Sequence, residues 1–295
     1  MSGNALYPHL GQVRRLLEAS HDDTKQLAND FSWHRPCPPA PLIAQDPWPK
    51  QQAFLSMEHE SEVMYGDSGG GGKSSAMLMA ALQYTCVPGY SALLLRQTYP
   101  QLIGEDGLIP RAEEWLAGTA ARWVASELQW KFPSGASLHF GHCERDADRF
   151  KFSGHAYQFV GLDELPNWPT PKIYLFVGFA RRRKPDPNPN LKACPSCGLT
   201  LAEVPLRTRA TGNPGGAGHS WVRRRFGIQL PGARPEGRWF VPARLADNPS
   251  LNREEYAKGL MELGPVERAQ ILAGDWTVRE SGRMFKREWF TGSTA

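Results

Sequence analysis

No run of apolar residues in this sequence approaches the roughly 20 that a membrane-spanning helix needs. The opening MSGNALYPHL also lacks the apolar stretch of a secretory signal. Cysteine is scarce and odd in number, five in 295 residues, which argues against a disulfide framework. No strong excess of one charge exists: 34 Lys and Arg stand against 30 Asp and Glu, a formal charge of +4. That balance argues against a basic tail coating nucleic acid and leaves room for a local basic patch. The expectation is a soluble intracellular protein with no membrane partner. Hydrophobic residues, in contrast, make up 41% of the chain, enough for a buried core. Glycine (29) and proline (25) are plentiful and point to many loops.

Leu6, Leu10, Val13, Leu16 and Leu17 recur at helical spacing and predict an amphipathic N-terminal arm. The run PCPPAPLIAQDPWP that follows cannot be a helix interior and reads as an extended strap. From Gln51 onward, short apolar strands alternate with helices. EVMY (62–65), SALLL (91–95), 138–140, YQFVGL (157–162) and 208–211 read as strands. Residues 73–84 read as a helix stopped by Pro88-Gly89. This alternation predicts an α/β fold with a mostly parallel central sheet flanked by helices. The expected division is a helical arm and strap over 1–46 and a core over 47–245. A helical lid or linker over 246–280 follows, and then the start of a further C-terminal domain over 281–295.

The sharpest motif is GDSGGGGKS, from Gly66 through Asp67, Ser68, Gly69, Gly70, Gly71 and Gly72 to Lys73 and Ser74, with Ser75 next. Consecutive glycines let backbone N–H groups turn toward phosphate oxygens, and the helix that follows adds its dipole. A lysine there reaches the outer phosphates and the next hydroxyl ligates Mg²⁺. The strict pattern places its first glycine where this chain has Asp67, so the match is one residue out of step. The second motif is FVGLDE, an apolar strand ending in two carboxylates. Beside a phosphate loop, Asp163 would hold Mg²⁺ and Glu164 would deprotonate the attacking water. Together the two motifs predict a P-loop NTPase core of the ASCE, RecA-like type, with ATP as nucleotide. Third, Thr211-Gly212-Asn213-Pro214 follows a strand. Asn213 suits sensing of the γ-phosphate, and the same residues also read as a plain Asn-Pro-Gly-Gly turn. Gln51 can pair with the N6/N7 edge of adenine or simply begin a helix.

In this order PKQQAFL, the Tyr65-Gly66 entry to the loop, LLLRQTYPQL, FVGLDEL, RATGNPGGAGHSW, DNPSL and GDW form a set. That set resembles the large terminase subunit of tailed bacteriophages, the ATPase of the DNA-packaging motor. The resemblance implies that Gln51 reads adenine and that Lys73 and Ser74 contact phosphate and metal. It makes Asp163 the Mg²⁺ residue, Glu164 the catalytic base, and Thr211 to Pro214 the link between hydrolysis and DNA movement. It further implies translocation of double-stranded DNA into a procapsid in the host cytoplasm, by a ring of five subunits docked on the portal. A small terminase subunit would recognise the DNA, and an isolated ATPase domain would be monomeric. Family phosphate loops often carry an internal arginine where this chain has only Ser68, Gly69 and Gly70. Arg145 and Arg149 are then the candidates for a charge-neutralising arginine, with surface ion pairs as the alternative. The family's C-terminal nuclease would begin near GRMF (282–285), so no nuclease activity is expected from these residues.

Cys194-Pro-Ser-Cys197-Gly198 has the spacing of a zinc knuckle. A structural zinc site needs four ligands, and Cys37, Cys143, His142 and His155 are the remote candidates for the rest. A free-thiol turn is the competing reading. For DNA, Arg181-Arg182-Arg183-Lys184 and Arg223-Arg224-Arg225 would bind phosphates without regard to sequence, with an ordinary solvated charge run as the equal alternative. Two other functions stay open: a helicase-type translocase, and an assembly module that binds nucleotide without hydrolysing it.

Overall fold

The computed structural model describes residues 32–37, 42–43, 45–182, 193–232 and 235–278. The N-terminal arm and the segment 281–295 lie outside the described residues, as do Arg183 and Lys184. Eight strands form one sheet: β1 (Glu62–Asp67), β2 (Ser91–Arg96), β3 (Arg122–Val124), β4 (Gln129–Lys131), β5 (Ser137–His142), β6 (Phe159–Leu162), β7 (Arg207–Gly212) and β8 (Arg238–Ala243). Their order is β3-β4-β5-β2-β6-β7-β1-β8. The six strands from β5 to β8 in that order run parallel, and β3–β4 adds an antiparallel edge. One strand, β7, separates the phosphate-loop strand β1 from the acidic strand β6. That spacing is what the RecA-like type of P-loop fold requires.

The strands alternate because both faces of the sheet are covered, which is why they read as continuous apolar runs. Val63, Tyr65 and Leu94 enter one buried cluster, while their neighbours Met64, Leu93 and Leu95 enter another. Helix α1 (Pro49–Ser56) and α2 (Lys73–Leu82) cover the first face; α3 (Tyr99–Ile103) and α4 (Leu108–Leu116) extend this layer. The other face is covered by α5 (Lys172–Ala180) and α6 (His219–Phe226). The polar segment after Asn248 forms two short helices, α7 (Arg253–Leu260) and α8 (Pro265–Ala273), with Pro265 starting the second. Among the described residues no helix is long and apolar enough to cross a membrane.

Two features depart from the sequence pattern. Strand β8 carries Pro242 and three half-exposed positions, and it sits at the sheet edge where proline is tolerated. Strand β7 buries two arginines completely. Arg207 stacks on Tyr84 and Phe159, 4.8 and 5.2 Å from the ring centroids, and donates to the Ala80 carbonyl at 3.2 Å. Arg209 donates to the Glu60 carbonyl at 3.0 Å. Burial, and then Arg207 beside it, holds the Arg209 pKa well below the ordinary arginine range.

Candidate functional site

The phosphate loop leaves β1 at Asp67 and enters α2 at Lys73, with Gly70 (φ +72°) and Gly72 (φ +69°) in the left-handed region. Glycine takes that conformation at no steric cost. Remote groups hold the loop from outside. Tyr65 donates to the Gly71 carbonyl at 3.1 Å, Asn248 to Gly70 at 2.6 Å, and Gln51 to Gly72 at 3.0 Å. The N–H of Ser68 donates to the Ala243 carbonyl (3.0 Å) and that of Gly69 to Ile271 (2.8 Å). The first helical bond of α2 runs from Ala76 to Gly72 at 3.0 Å. The N–H groups of Lys73, Ser74 and Ser75 therefore have no acceptor within the helix and suit an anion. Lys73 donates to the Ser68 carbonyl at 3.1 Å across the loop.

The sheet edge beside the loop gathers the ends of two more strands, β6 and β7. Ser74 Oγ lies 3.1 Å from Asp163 Oδ2 at the end of β6. Thr211 Oγ1, at the end of β7, donates to Asp163 Oδ1 and accepts from the Glu164 N–H at 3.2 Å. Glu164 itself has φ +57°. A non-glycine residue there is uncommon, and the structure holds it there by its surroundings. Burial raises the Glu164 carboxyl above the ordinary glutamate range; Lys73 pulls it back and Asp163 pushes it further. Asn213, two residues beyond Thr211, has a buried Oδ1 with no hydrogen-bond partner within the protein. A buried unpaired acceptor at this edge calls for an external partner.

Arg96, at the end of β2, was not singled out from the sequence. Its guanidinium donates to Asp163 Oδ2 (Nε 2.7 Å, Nη2 2.6 Å) and to Ser74 Oγ (3.1 Å). The available signal was a charge closing a doubly buried apolar strand. The two arginines favoured from the sequence lie elsewhere. Arg145 is exposed at the start of the 3₁₀ turn Asp146–Phe152. Arg149 donates to the Asp146 carbonyl and stacks on Phe150 and Phe176 at 4.5 and 5.7 Å.

The other expected residues are placed as follows. Gln51 is fully buried, and its Oε1 accepts from the Trp48 N–H at 2.9 Å while its Nε2 holds Gly72. Both ends of the amide are engaged, so pairing with adenine requires these bonds to open. Asp67 is buried with Arg244 Nε at 3.6 Å; burial pushes its carboxyl up to about 7, against the pull of that guanidinium. Ser75 accepts from Arg111 at 2.8 Å. Gly66 is registered opposite Gly212, whose carbonyl would meet a Cβ at 1.9 Å. Pro214 lines the groove beside α8 with Gly215 and Gln270.

The segments that carry α7 and α8 also converge on the loop. A Cβ on Gly69 would lie 2.3 Å from the Tyr256 hydroxyl, and one on Gly274 would lie 2.4 Å from the Asp67 carboxyl carbon. Lys50 and Asp247, the residue before Asn248, form a largely buried ion pair at 2.9 Å. DNPSL and GDW thus clamp the phosphate loop.

The basic clusters are partly committed within the fold. Arg181 donates to the Ser61 carbonyl at 2.8 Å, and Arg223 caps its own helix at Ile228 and Gln229. Arg225 pairs with both oxygens of Glu62 at 2.8 Å. Arg182 and Arg224 are exposed. Of the zinc candidates, Cys194 and Cys197 lie beside Cys37, Cys86 and His34. Cys143 is buried in the core of the opposite face, His142 packs on Tyr99 and His155 on Tyr157.

No family model and no curated protein matches this sequence. Solved structures do match. The large terminase of a thermophilic bacteriophage aligns at 15% identity and TM-score 0.57 over 83% of this chain and 57% of that one. In complex with ADP, that terminase aligns at 13% and 0.53, over 75% and 49%. The large terminase ATPase domain of Thermus phage P74-26 aligns at 15% and 0.51, over 80% of this chain and 96% of the domain. This chain spans about half the length of the full-length terminases it matches. It has the α/β fold of the ATPase domain of bacteriophage large terminases.

Proposed function

We propose that this chain is an ATP-hydrolysing motor domain that drives double-stranded viral DNA into a procapsid. One observation carries the reading: Ser74, Asp163 and Thr211, from three elements, share hydrogen bonds beside the glycine loop, with Glu164 held in a left-handed conformation next to them. The oxygens of Ser74 and Asp163 are hard donors suited to Mg²⁺. The Arg96 guanidinium bridging both of them marks the place as one that holds positive charge. Ser74 and Asp163 would hold the ion, which when bound neutralises charge on the β- and γ-phosphate oxygens.

The chain's own residues account for the rest. The N–H groups opening α2 take phosphate oxygens, and Lys73 exchanges the Ser68 carbonyl for phosphate. Arg96 gives up Ser74 and turns its charge toward the outer phosphate, the cis role expected of an arginine at this edge. Glu164 accepts a proton from water as the water oxygen bonds to the γ-phosphorus. The bond to the bridging oxygen breaks, and ADP and phosphate leave. Its raised pKa brings the base closer to neutral pH, where proton transfer is most efficient. Asn213 Oδ1 finds its partner in the attacking water or its amide in the γ-phosphate. Loss of that partner moves the 211–214 segment and, through Gly215 beside Gln270, helix α8 of the lid.

By the same reading, portal protein, a small terminase subunit and further copies in a ring are the partners, in the host cytoplasm and then on the procapsid. Within the two basic clusters the exposed Arg182 and Arg224 would meet DNA phosphates, and Arg145 or Arg149 would reach a neighbouring subunit. The test combines the protein with portal-bearing procapsids, linear double-stranded DNA and ATP, and measures DNA protected from nuclease. Protection that is lost with Glu164→Gln is expected. Phosphate release accompanied by strand unwinding, with no protected DNA, would replace this reading with a helicase-type motor.

A further inference from the structure

At the far end of α2, three segments distant in sequence bring their sulfurs together. Donor atoms of His34, Cys37, Cys86 and Cys197 all lie within 4.8 Å of one another. The Cys194 thiol joins them through contacts with Cys37 and Cys197. Every cysteine is a free thiol. Zinc bound by four thiolates at about 2.3 Å places the sulfurs about 3.8 Å apart, so the sulfurs of Cys37, Cys86 and Cys197, within 4.8 Å of one another, already stand near the spacing of three corners of a tetrahedron.

The local backbone is already that of a metal knuckle. Gly198 donates to the Cys194 carbonyl at 2.8 Å and takes φ +75°, which closes the turn. The N–H groups of Ser196 and Cys197 point at the Cys194 sulfur. N–H groups aimed at a cysteine sulfur are the outer contacts that orient a metal ligand. His34 stacks on Tyr84 (centroids 4.6 Å apart) and its Nε2 lies 3.4 Å from Cys86 Sγ. A ring fixed in that way supports a ligand from outside the coordination sphere.

We propose that Cys37, Cys86, Cys194 and Cys197 hold one structural Zn²⁺ ion, with His34 hydrogen-bonded to the Cys86 sulfur. The metal fastens the strap and the cysteine-bearing insertion to the turn that follows the phosphate-loop helix. Four protein ligands close the site, so its role is to hold chain segments and not to activate water. Binding releases the thiol protons to solvent. This inference does not rest on the ATPase reading, and its test needs no turnover.

The full chain, purified under reducing conditions, should carry about one zinc by metal analysis. Single Cys→Ser changes at 37, 86, 194 and 197 should each weaken zinc retention against a competing chelator at least about tenfold, while Cys143→Ser should not. His34→Ala should keep the stoichiometry and weaken retention about 10- to 100-fold. Should the serine variants misfold, the native protein still answers: zinc should protect four of the five thiols from alkylation until it is removed. Co²⁺ in its place should give thiolate charge-transfer absorption and the visible bands of a tetrahedral site. Folded, reduced protein without zinc would overturn the proposal, as would a disulfide among these residues. So would zinc undiminished in Cys37→Ser and Cys86→Ser. Loss with His34→Ala but not with Cys194→Ser would assign the fourth ligand to His34 and refute the four-sulfur set.

Discussion

The two ends of helix α2 differ in nearly every respect. At its N-terminus the chain gathers oxygen and cationic groups: Lys73, Ser74, Asp163, Thr211 and Arg96, around a loop of glycines. Just beyond its C-terminus it gathers sulfur, with Cys86 against Cys37 and Cys197. The first end is built for exchange. Lys73 rests on a carbonyl that phosphate can replace, Arg96 bridges two oxygens that a metal would take, and Asn213 keeps an acceptor unpaired. The second end is built for permanence, with soft donors closing on themselves from three segments. A ten-residue helix of about 15 Å separates the two chemistries, so each can be changed without altering the other.

The largest effect should come from Lys73→Ala, which removes a preorganised charge from the exchanging end. ATP turnover should fall about 10³-fold while zinc content stays constant. Metal analysis beside a phosphate-release assay checks both halves, and a joint loss would mean the ends are not separate.

Asp67 comes next. Its folded pKa of about 7 lies above the ordinary aspartate value of 3.8, because burial disfavours the charged form. The folded state therefore holds its proton more tightly than the unfolded chain does. Stability tied to this group is full below about pH 4 and is lost as pH rises through 7. The loss is on the order of 4 kcal/mol before relaxation. Asp67→Asn should flatten the fall in Tm between pH 4 and 8 (about the span of the two pKa values). Melting curves across that range decide it, and an unchanged slope would exclude Asp67 as the cause.

Thr211→Val should lower turnover about 10²-fold with the fold intact, since Thr211 positions both the Asp163 carboxylate and the Glu164 backbone. Gly69→Ala should destabilise by about 1–3 kcal/mol, because its Cβ would lie 2.3 Å from the Tyr256 hydroxyl. Tyr256→Phe combined with it should recover part of that loss in denaturant titrations. Smallest of all is the coupling between the ends. The stability changes of Ser74→Ala and Cys86→Ser should add to within about 0.5 kcal/mol in the double variant.

Much of the exchanging end was legible because its residues are local. GDSGGGGKS, FVGLDE and TGNP each fall within nine consecutive positions at a strand end, and loop chemistry of that kind shows in composition. The α/β class followed from apolar runs such as SALLL, which only a doubly covered strand explains. Less legible was whatever depends on distant partners. Arg96 reads as a charge ending a strand until Asp163 is brought against it across 67 positions. Gly69 reads as phosphate-loop chemistry, while the contact that forbids a side chain there comes from Tyr256 on α7. The edge strand β8 carries a proline and half-exposed residues, which hide it from periodicity. Cys194 and Cys197 announced a knuckle and Cys37 stood among four remote candidates for its partners, but Cys86 and His34 announced nothing, because only the fold makes them neighbours.

The central claim is that the edge formed by Ser74, Asp163, Glu164 and Thr211 hydrolyses nucleotide with Glu164 as the base. Phosphate release by Glu164→Gln, measured beside binding of a fluorescent ATP analogue, tests it most directly. Turnover lowered about 10²- to 10⁴-fold with binding retained is the predicted result. Turnover equal to that of the unaltered protein, at equal binding, would contradict it.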